Sequence, residues 1–381
     1  MTVSADLVEQ AHRRLLALDS SHSAGPISLE RLQAVVREQA PLLGDEQIQA
    51  VMAAVVSRVE GLGRLDGLLA DPDVSDVLIN GPGPVWIERR GELACTDIDL
   101  GADEIALLIE RIVAPLGRRA DRSAPIAEAR LPDGSRVHIV LSPVAVDGPC
   151  VAIRRFAAEP FGLADFAGPD VVACLHHLVE RGDNIVVSGG TGSGKTSLLN
   201  ALASGIVGDE RILTVEDAAE LRLPGRHVVR FECQPPNSEG RGALDLRALV
   251  RSVLRLRPDR LIVGEVRGPE AFDLLQALNT GHAGSMATCH ANGPAAALRR
   301  LEMLVLSGAP TVPLVAIREL LVAAVDMVIQ VARADRRRRQ VVEVHEVGRL
   351  GADGTLTTRP LVEAGRVVSS PSRPARRRSS P

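Results

Sequence analysis

The sequence contains no tyrosine, and aromatic residues make up only 2% of its 381 residues, whereas hydrophobic residues make up 45%. Aliphatic side chains must therefore form its cores. Proteins that bind single-stranded nucleic acid usually stack bases on aromatic side chains, so this shortage argues against that class. The net charge of −4 gives no general attraction to nucleic acid either. We expect no sequence-specific nucleic-acid partner.

Cysteine and long apolar runs are also scarce. The five cysteines lack the Cys-x-x-Cys spacing of zinc sites and the pattern of a disulfide framework, which suits a reducing cytosol. No run approaches the ~18 apolar residues of a membrane span, and the first residues lack the apolar segment of a signal peptide. We predict a cytoplasmic protein, with peripheral association at the inner face of the cell membrane as an option.

Lysine is nearly absent as well. Of the 44 basic side chains only Lys195 is a lysine, and it belongs to a complete GxxxxGK[ST] match. In such a loop the backbone N–H groups wrap phosphates, the compact ammonium reaches the β- and γ-phosphates, and the last hydroxyl ligates Mg²⁺. The pattern predicts ATP and Mg²⁺ as cofactors. The predicted nucleotide-binding residues are Gly189, Gly190, Thr191, Gly192, Ser193, Gly194, Lys195, Thr196 and Ser197.

The flanking segments favour a true phosphate-binding loop over a chance glycine-rich turn. Residues 184–188 have the pattern of a buried strand, and residues 196–202 have the pattern of a helix. A strand, a loop and a helix in this order are the context in which the motif binds phosphate. Small GTPases are excluded, because their guanine-reading motif needs a second lysine.

Two apolar strands downstream end in acidic residues. One leads into Glu216 and Asp217, and the other leads into Glu265. Parallel strand ends converge on the edge where a phosphate loop lies. We therefore predict Glu216 and Glu265 as catalytic residues, and Thr196, Asp217 and Glu265 as Mg²⁺ ligands. Which acid activates water stays open, and the alternative is that these acids only cap the next helix.

Two histidines follow in the segments 280–285 and 288–292, which read TGHAGS and TCHAN. A metal site is disfavoured because no third ligand has a suitable spacing. We predict a loop and strand that sense the γ-phosphate, with His282 as a catalytic candidate. A structural role in the core is the alternative for either His282 or His290.

Periodicity divides the chain into five parts. Residues 1–66 have helical periodicity, residues 67–157 form a small α+β domain, and residues 158–168 are a linker. Strands alternate with helices over 169–348, which predicts a mostly parallel sheet with helices on both faces. Residues 349–381 are an Arg/Ser/Pro-rich tail that is partly disordered. Basic runs lie at 336–339 and, in the tail, at 376–378. The first lies between two predicted strands and is read as a solvated hairpin tip, with an anionic-lipid or nucleic-acid patch as the alternative.

Seven ordered motifs resemble the type II/type IV secretion ATPase superfamily, and most closely its CpaF/TadA-like branch of pilus-assembly and conjugation-associated ATPases. The resemblance covers about residues 68–348. Besides the phosphate loop and the histidine segments, it comprises DPDVSDVLING at 71–81, ARLPDGSRV at 129–137, IRRF at 153–156, VED at 215–217 and GEVR at 264–267.

This resemblance implies a RecA-like P-loop ATPase domain, a homo-hexameric ring and ATP held between the two domains. It implies arginines of the small domain that act on the nucleotide, with Arg136 and Arg154 the first candidates and Arg130 and Arg155 next. It also assigns Arg267 to nucleotide binding. The expected function is a Mg²⁺-dependent ATP-hydrolysing motor that powers pilus assembly or protein secretion through inner-membrane platform proteins.

Two alternatives to that function stay open. The first is an ATPase of a conjugation or DNA-transfer apparatus, which the arginine runs favour and the net acidity and few aromatics weaken. The second is a non-catalytic ring that uses ATP only as an assembly switch.

Overall fold

In the computed structural model the chain forms two compact units, residues 1–157 and 158–381. The structure describes residues 7, 10–11, 14, 29–41, 43–116, 119–155, 161–206, 208–236, 241–334 and 338–376. None of the helices within these ranges combines the length and the apolar character that crossing a bilayer requires.

The first unit begins with two helices that share a small core of their own. Helix α1 spans Leu29–Gln39 and helix α2 spans Asp45–Glu60. Leu32, Val36 and Ile48 are among the buried side chains that join them. These helices agree with the helical periodicity of residues 1–66, of which the part before Leu29 lies largely outside the described residues.

A six-stranded antiparallel sheet forms the rest of the first unit, in the order β3-β2-β1-β6-β5-β4. Its strands are β1 Val74–Asn80, β2 Gly83–Arg89, β3 Glu92–Leu100, β4 Ile126–Arg130, β5 Arg136–Val140 and β6 Cys150–Arg154. The short helix α3 spans Asp66–Ala70 and helix α4 spans Ala102–Val113. Helix α4 repeats apolar residues at helical spacing, so one face of it packs into the core of this sheet.

The described part of the second unit contains a nine-stranded sheet in the order β15-β14-β13-β12-β7-β11-β10-β8-β9. The run from β12 to β9 is parallel, and β13 to β15 add antiparallel strands at one side. The strands are β7 Ile185–Gly189, β8 Ile212–Glu216, β9 Val228–Glu232, β10 Arg260–Val266, β11 Met286–His290, β12 Met327–Arg333, β13 Arg339–Leu350, β14 Leu356–Glu363 and β15 Arg366–Val367.

Helices cover both faces of this sheet. They are α5 Pro169–Glu180, α6 Lys195–Ser204, α7 Leu246–Val253, α8 Glu270–Asn279, α9 Pro294–Gly308 and α10 Leu314–Ala324. Successive residues of a strand point to opposite faces. Accordingly, Ile185 and Val187 belong to the apolar cluster under α5 and α6, whereas Val186 belongs to the cluster under α7 to α10. The predicted α/β fold with a smaller α+β domain and helical N-terminal region is confirmed.

The parallel strands give the second sheet two chemically distinct edges. Strands β7 and β11 run side by side, with Met286 paired to Ile185 at their start and His290 paired to Gly189 at their end. We call the side where these strands begin the amino edge and the side where they end the carboxyl edge. The phosphate loop follows Gly189 and therefore lies at the carboxyl edge.

The structure differs from the sequence-based division at both ends of the second unit. Residues after 348, predicted as tail, supply the end of β13 and all of β14 and β15, because Leu361 and Val362 are apolar residues that the core buries completely. Within the predicted linker, Phe166 is buried in the core under α5 and α6, while residues 158–160 lie outside the described residues.

Candidate active site

The phosphate loop connects β7 to α6 through a backbone path that needs glycine. Gly192 and Gly194 have φ values of +67° and +95°, in the left-handed region that other residues avoid. Gly194 is also the N-cap of α6. At Gly189 a Cβ atom would collide with Ser193 Oγ and the Val331 carbonyl. The loop therefore packs closely against β12, to which Val331 belongs.

Lys195 is buried in this loop, with 8% of its surface exposed. Its ammonium donates a hydrogen bond to the Gly190 carbonyl at 3.0 Å. Burial lowers the pKa of Lys195, and the carboxylate of Glu265 opposes that effect. A buried ammonium held by a single carbonyl and an opposing carboxylate is suited to take a phosphate oxygen as a partner.

The hydroxyl groups of the loop divide into structural and available ones. Ser193 Oγ donates to the Gly190 carbonyl at 2.9 Å and so fixes the turn. Thr196 lies half-buried in the first turn of α6. Ser197 Oγ accepts a hydrogen bond from Arg339 at 3.4 Å. Thr191 is exposed at the tip of the loop.

Glu265 lies near the end of β10, two strands from β7, where Lys195 and His290 act on it electrostatically. Arg267 donates to its Oε2 at 2.8 Å. Burial alone would raise the pKa of Glu265, but the hydrogen bond from Arg267 and the charges of Arg267, Lys195 and His290 hold it below the usual value. Glu265 is therefore a carboxylate at neutral pH.

Arg267 also pairs with Asp217. Its Nη2 donates to Glu265, and its Nη1 lies 3.4 Å from Asp217 Oδ2. Asp217, Glu265 and the Thr196 hydroxyl offer the oxygen donors that Mg²⁺ prefers, and Mg²⁺ typically uses one or two carboxylates together with substrate phosphates. The residues present therefore fit this ion. The described residues contain no group of three or more His, Cys, Asp or Glu side chains that could hold a metal alone.

Glu216 is placed differently from the other two acids. It is buried, and its Oε2 accepts hydrogen bonds from the backbone N–H groups of Glu220 at 2.8 Å and Leu221 at 3.0 Å. Burial raises the pKa of Glu216 to about 6, although these two N–H groups act in the opposite direction. This contact organises the loop after β8, but Glu220 and Leu221 do not belong to a helix, so it is not the helix cap that the alternative expected. Its Cγ would lie 2.9 Å from a Cβ at Gly264, so glycine is needed beside it.

The two histidines lie at opposite edges of the sheet. His282 precedes β11 at the amino edge, and its Nδ1 lies 3.0 Å from the Ala277 carbonyl oxygen. His290 ends β11 at the carboxyl edge, paired with Gly189 and close enough to Glu265 to lower its pKa. The strand between them prevents both from sharing one site. The structure therefore brings His290, and not the candidate His282, to the phosphate loop.

The candidate arginines of the first unit form a row across its sheet. Arg130 pairs with Arg136 on the next strand, Arg136 pairs with Arg154, and Arg154 pairs with Asp76. Directly opposite residues share a face, so these three guanidinium groups lie on one side of the sheet. Arg155 points elsewhere and donates to backbone carbonyls near the start of β1.

The comparisons with known proteins show which family this chain belongs to. Residues 59–368 match the family described as type II/IV secretion system protein. This chain belongs to that family. A stretch of 316 residues is 38% identical to protein Rv3659c of Mycobacterium tuberculosis and covers 80% of this chain and 89% of that protein. The conjugal transfer protein TrbB of Rhizobium radiobacter is 34% identical over 290 residues, with 74% and 86% covered.

Solved structures show the same fold. The ATPase DotB of Legionella pneumophila superposes with a TM-score of 0.54 at 22% identity, over 74% of this chain and 79% of that one. The resemblance to the secretion ATPase superfamily and the RecA-like fold predicted from it are therefore confirmed.

Several residues near the phosphate loop of this secretion family member were not singled out by the sequence analysis. His290 was weighed only as one of a pair, although a residue that directly ends a parallel strand belongs at the carboxyl edge. Cys289 lies beside it, and burial raises the pKa of its thiol to about 11, so it stays protonated. Arg333 and Arg339 reach the loop from β12 and β13. Arg339 belongs to the basic run that the sequence reads as solvated, but its guanidinium packs over Phe161 and contacts Ser197, so that reading is wrong for Arg339. No local sequence signal marks Arg333.

Proposed function

We propose that this protein is a Mg²⁺-dependent ATP hydrolase that works as a motor in a secretion machine. The observation that carries the proposal is the setting of Lys195, the only lysine of the chain. It is buried between a glycine-rich loop and the carboxylate of Glu265, at the carboxyl edge of a parallel sheet. Ligands of open α/β sheets bind at this edge.

The phosphate loop performs the binding step. The N–H groups at the start of α6 and in the loop face the phosphates, and Lys195 exchanges the Gly190 carbonyl for phosphate oxygens. The new contact pairs a buried ammonium with an anion, which is stronger than its contact with a neutral carbonyl. Nucleotide binding therefore gives Lys195 an anionic partner, which stabilises the charged form that burial disfavours.

Glu265 is the best candidate for orienting and deprotonating the attacking water. It is ionised, it lies near Lys195, and its strand ends where the phosphates are bound. Thr196, Asp217 and Glu265 would hold Mg²⁺, which neutralises charge on the phosphates. Arg267 bridges Asp217 and Glu265, so it keeps the two carboxylates together. Glu216 supports this arrangement by organising the loop after β8.

The arginine row of the small domain supplies the remaining positive charge. We propose that Arg136 and Arg154 act on the nucleotide within a homo-hexamer, with Arg130 beside them. A planar guanidinium fork suits the charge on the γ-phosphoryl oxygens, and such arginines contribute on the order of 10³-fold or more in rate. Within the protein, Arg154 Nε lies 3.7 Å from Asp76 Oδ1, so this arginine has a carboxylate partner besides the proposed nucleotide.

The cellular role follows from the family. We propose that the motor acts at the inner face of the cell membrane, where it drives platform proteins that assemble pili or secrete proteins. Conjugal transfer is the second candidate, because the relative TrbB carries that name. Either role is compatible with nucleotide-driven movement of the two units.

The enzymatic proposal is tested by measuring phosphate release from ATP by the purified protein, with and without Mg²⁺, together with the mass of the assembly. Mg²⁺-dependent release by a six-subunit particle is expected. Ring formation with ATP but without phosphate release would instead support the non-catalytic assembly switch.

The role of the arginine row is tested by mixing two inactive variants. Arg154→Ala subunits keep an intact Glu265, and Glu265→Gln subunits keep an intact Arg154. If the arginine serves a neighbouring subunit, mixed rings regain turnover that neither variant has alone. The absence of any recovery in rings shown to be mixed would contradict action across subunits.

The cargo is tested with the Glu265→Gln variant, which should bind ATP without turning it over. Cross-linking in cells and purification from the membrane fraction would identify its partners. Membrane platform proteins with pilin-like subunits would support the pilus or secretion role, whereas DNA or DNA-processing proteins would support conjugal transfer.

A further inference from the structure

Two arginines of the hairpin β12–β13 contact the phosphate loop from inside the same unit. Strand β12 is the parallel neighbour of β7, and Gln330 pairs with Ser188 just before the loop begins. The strand continues past the loop to Arg333. Strand β13 returns from Arg339, which pairs directly with Arg333. The hairpin therefore presents two guanidinium groups at the carboxyl edge.

Arg333 binds the outer side of the loop. Its Nε donates to the Gly192 carbonyl oxygen at 2.8 Å. Its Nη2 would lie 3.3 Å from a Cβ atom at Gly192, so the guanidinium lies flat against this glycine. Gly190, by contrast, directs its carbonyl toward Ser193 and Lys195. The contact of Lys195 must open when phosphate binds, but the contact of Arg333 is compatible with both states.

Arg339 holds the other side of the same loop. Its side chain crosses Gly194, where a Cβ atom would collide with it, and Nη1 reaches Ser197 Oγ at 3.4 Å. The guanidinium lies over the ring of Phe161, with 4.8 Å from Cζ to the ring centroid. Phe161 in turn packs edge-on against the buried Phe166. Arg339 is therefore anchored to the core under α5 and α6.

Placing two arginines directly opposite each other on neighbouring strands is normally unfavourable. Here each arginine has its own contact with the phosphate loop, Arg333 with the Gly192 carbonyl and Arg339 with Ser197. The pair is thus arranged as a clamp around the loop.

We propose that Arg333 is a positioning residue for the phosphate loop, which holds the Gly192 carbonyl outward so that the loop N–H groups face the nucleotide phosphates. Arg339 supports the start of α6 from the opposite side. This inference rests on the proposed function, because it assigns the loop to the phosphates of ATP. It predicts that Arg333 contributes to nucleotide binding more than to the chemical step.

The test compares Arg333→Gln with Arg349→Gln, a matched control at the exposed far end of β13. Losing a hydrogen bond from a charged group is expected to raise the KM for ATP and the Kd for ADP roughly tenfold. The kcat should fall less than about twofold, since a contact that contributes equally to the ground state and the transition state of bound ATP changes KM alone. Arg349→Gln should match the unaltered protein in all three quantities.

Hydrogen exchange provides a readout that does not require activity. Without nucleotide, backbone amides of residues 189–196 should exchange faster in Arg333→Gln than in the unaltered protein, whereas α5 should be unchanged. Arg333→Lys, which keeps the charge without the planar fork, should give intermediate exchange and an intermediate KM.

The possible outcomes are distinguishable. An unaltered protein that neither binds ADP nor hydrolyses ATP would contradict the proposed function itself. If it does both, and Arg333→Gln shows unchanged KM, Kd and loop exchange, only the positioning role is overturned. A fall in kcat at constant KM would also overturn it, because Arg333 would then act on the transition state.

Discussion

Acidic residues lie at both edges of the nine-stranded sheet, but their surroundings differ. At the amino edge, Asp183 and Asp326 precede β7 and β12 and are buried. Asp326 accepts a hydrogen bond from the Asn184 N–H and pairs with Arg373 and Arg376 of the C-terminal segment. Asp183 pairs with Arg181, so both of these buried acids have arginine partners within the protein.

At the carboxyl edge the charged side chains have fewer partners within the protein. Asp217 and Glu265 are more exposed and share the single guanidinium of Arg267, and Lys195 is buried with a carbonyl as its hydrogen-bond partner. A buried ionic group without a matched partner is costly. The comparison indicates that the amino edge is complete in itself, whereas the carboxyl edge is built for charges that a ligand brings.

The position of an acid relative to its strand therefore predicts its role. Acids that precede a parallel strand stabilise the fold, and acids that follow one are available for chemistry. Glu216 is the intermediate case. It ends β8, yet its carboxylate accepts hydrogen bonds from backbone N–H groups of the protein itself.

The largest contrast is expected between Glu265→Gln and Glu346→Gln. The first should lower ATP turnover at least about a hundredfold, because it removes the group that we propose activates the attacking water. The second alters a buried acid of β13 that contacts Arg359 and Ser372, and it should leave turnover near normal. Phosphate release is measured on preparations with equal folded fractions by circular dichroism. Equal losses in both variants would remove the distinction between the edges.

Deleting residues 369–381 should give the next largest effect, on stability. It removes Arg373 and Arg376 from Asp326, and it removes Ser372 from Glu346. Asp326 keeps the Asn184 N–H and Glu346 keeps Arg359, but removing the arginine partners of a buried carboxylate still costs about 3–5 kcal/mol, measured as the free energy of unfolding in urea. Adding Asp326→Asn and Glu346→Gln to the shortened chain should restore part of the loss.

Deleting only residues 377–381 is the matched control and should change little, since the contacting arginines remain. A full deletion that unfolds at the same urea concentration as the complete chain would show that the amino edge does not depend on this segment.

Glu346 should make the protein acid-sensitive in a defined range. Burial alone would raise its pKa, but hydrogen bonds from Ser372, Arg373 and Arg359 lower it to about 2. A lowered pKa stabilises the fold above the unfolded value near 4.5, and this stabilisation is lost as the pH falls from about 4.5 to 2. Thermal unfolding between pH 6 and pH 3 should therefore be less pH-dependent in Glu346→Gln. Parallel curves for both proteins would argue against this assignment.

Glu216 should have the smallest effect on the pH dependence of stability, and its sign should be opposite to that of Glu346. Its pKa is raised to about 6 by burial, so its contribution is favourable below pH 4.5 and is lost as the pH rises through 6. Glu216→Gln should therefore unfold a few degrees higher relative to the unaltered protein at pH 8 than at pH 5. A larger advantage at pH 5 would show that the backbone contacts outweigh burial.

The sequence predicted the features that depend on neighbours along the chain. The phosphate loop, the strands that lead to Glu216 and Glu265, and the hairpin around residues 336–339 follow from local pattern, and the fold class follows from their order. Of that hairpin, residues 335–337 at its tip lie outside the described residues, as do Arg377 and Arg378 of the tail.

Features that depend on register could not be predicted in the same way. The pairing of Arg333 with Arg339, and the row Arg130, Arg136 and Arg154, arise from strands that are distant in sequence. His282 was chosen over His290 because the chain alone does not show where β11 begins. The domain boundaries and site roles drawn from the sequence stay predictions.

The most direct test of the account is ATP turnover by Lys195→Ala beside the unaltered protein, purified in the same way and compared by thermal unfolding. We predict that phosphate release falls at least about a hundredfold, while the unfolding temperature stays the same or rises, because a buried ammonium has been removed. Near-normal phosphate release by the folded variant would contradict the claim that the carboxyl edge of this sheet is the site of ATP hydrolysis.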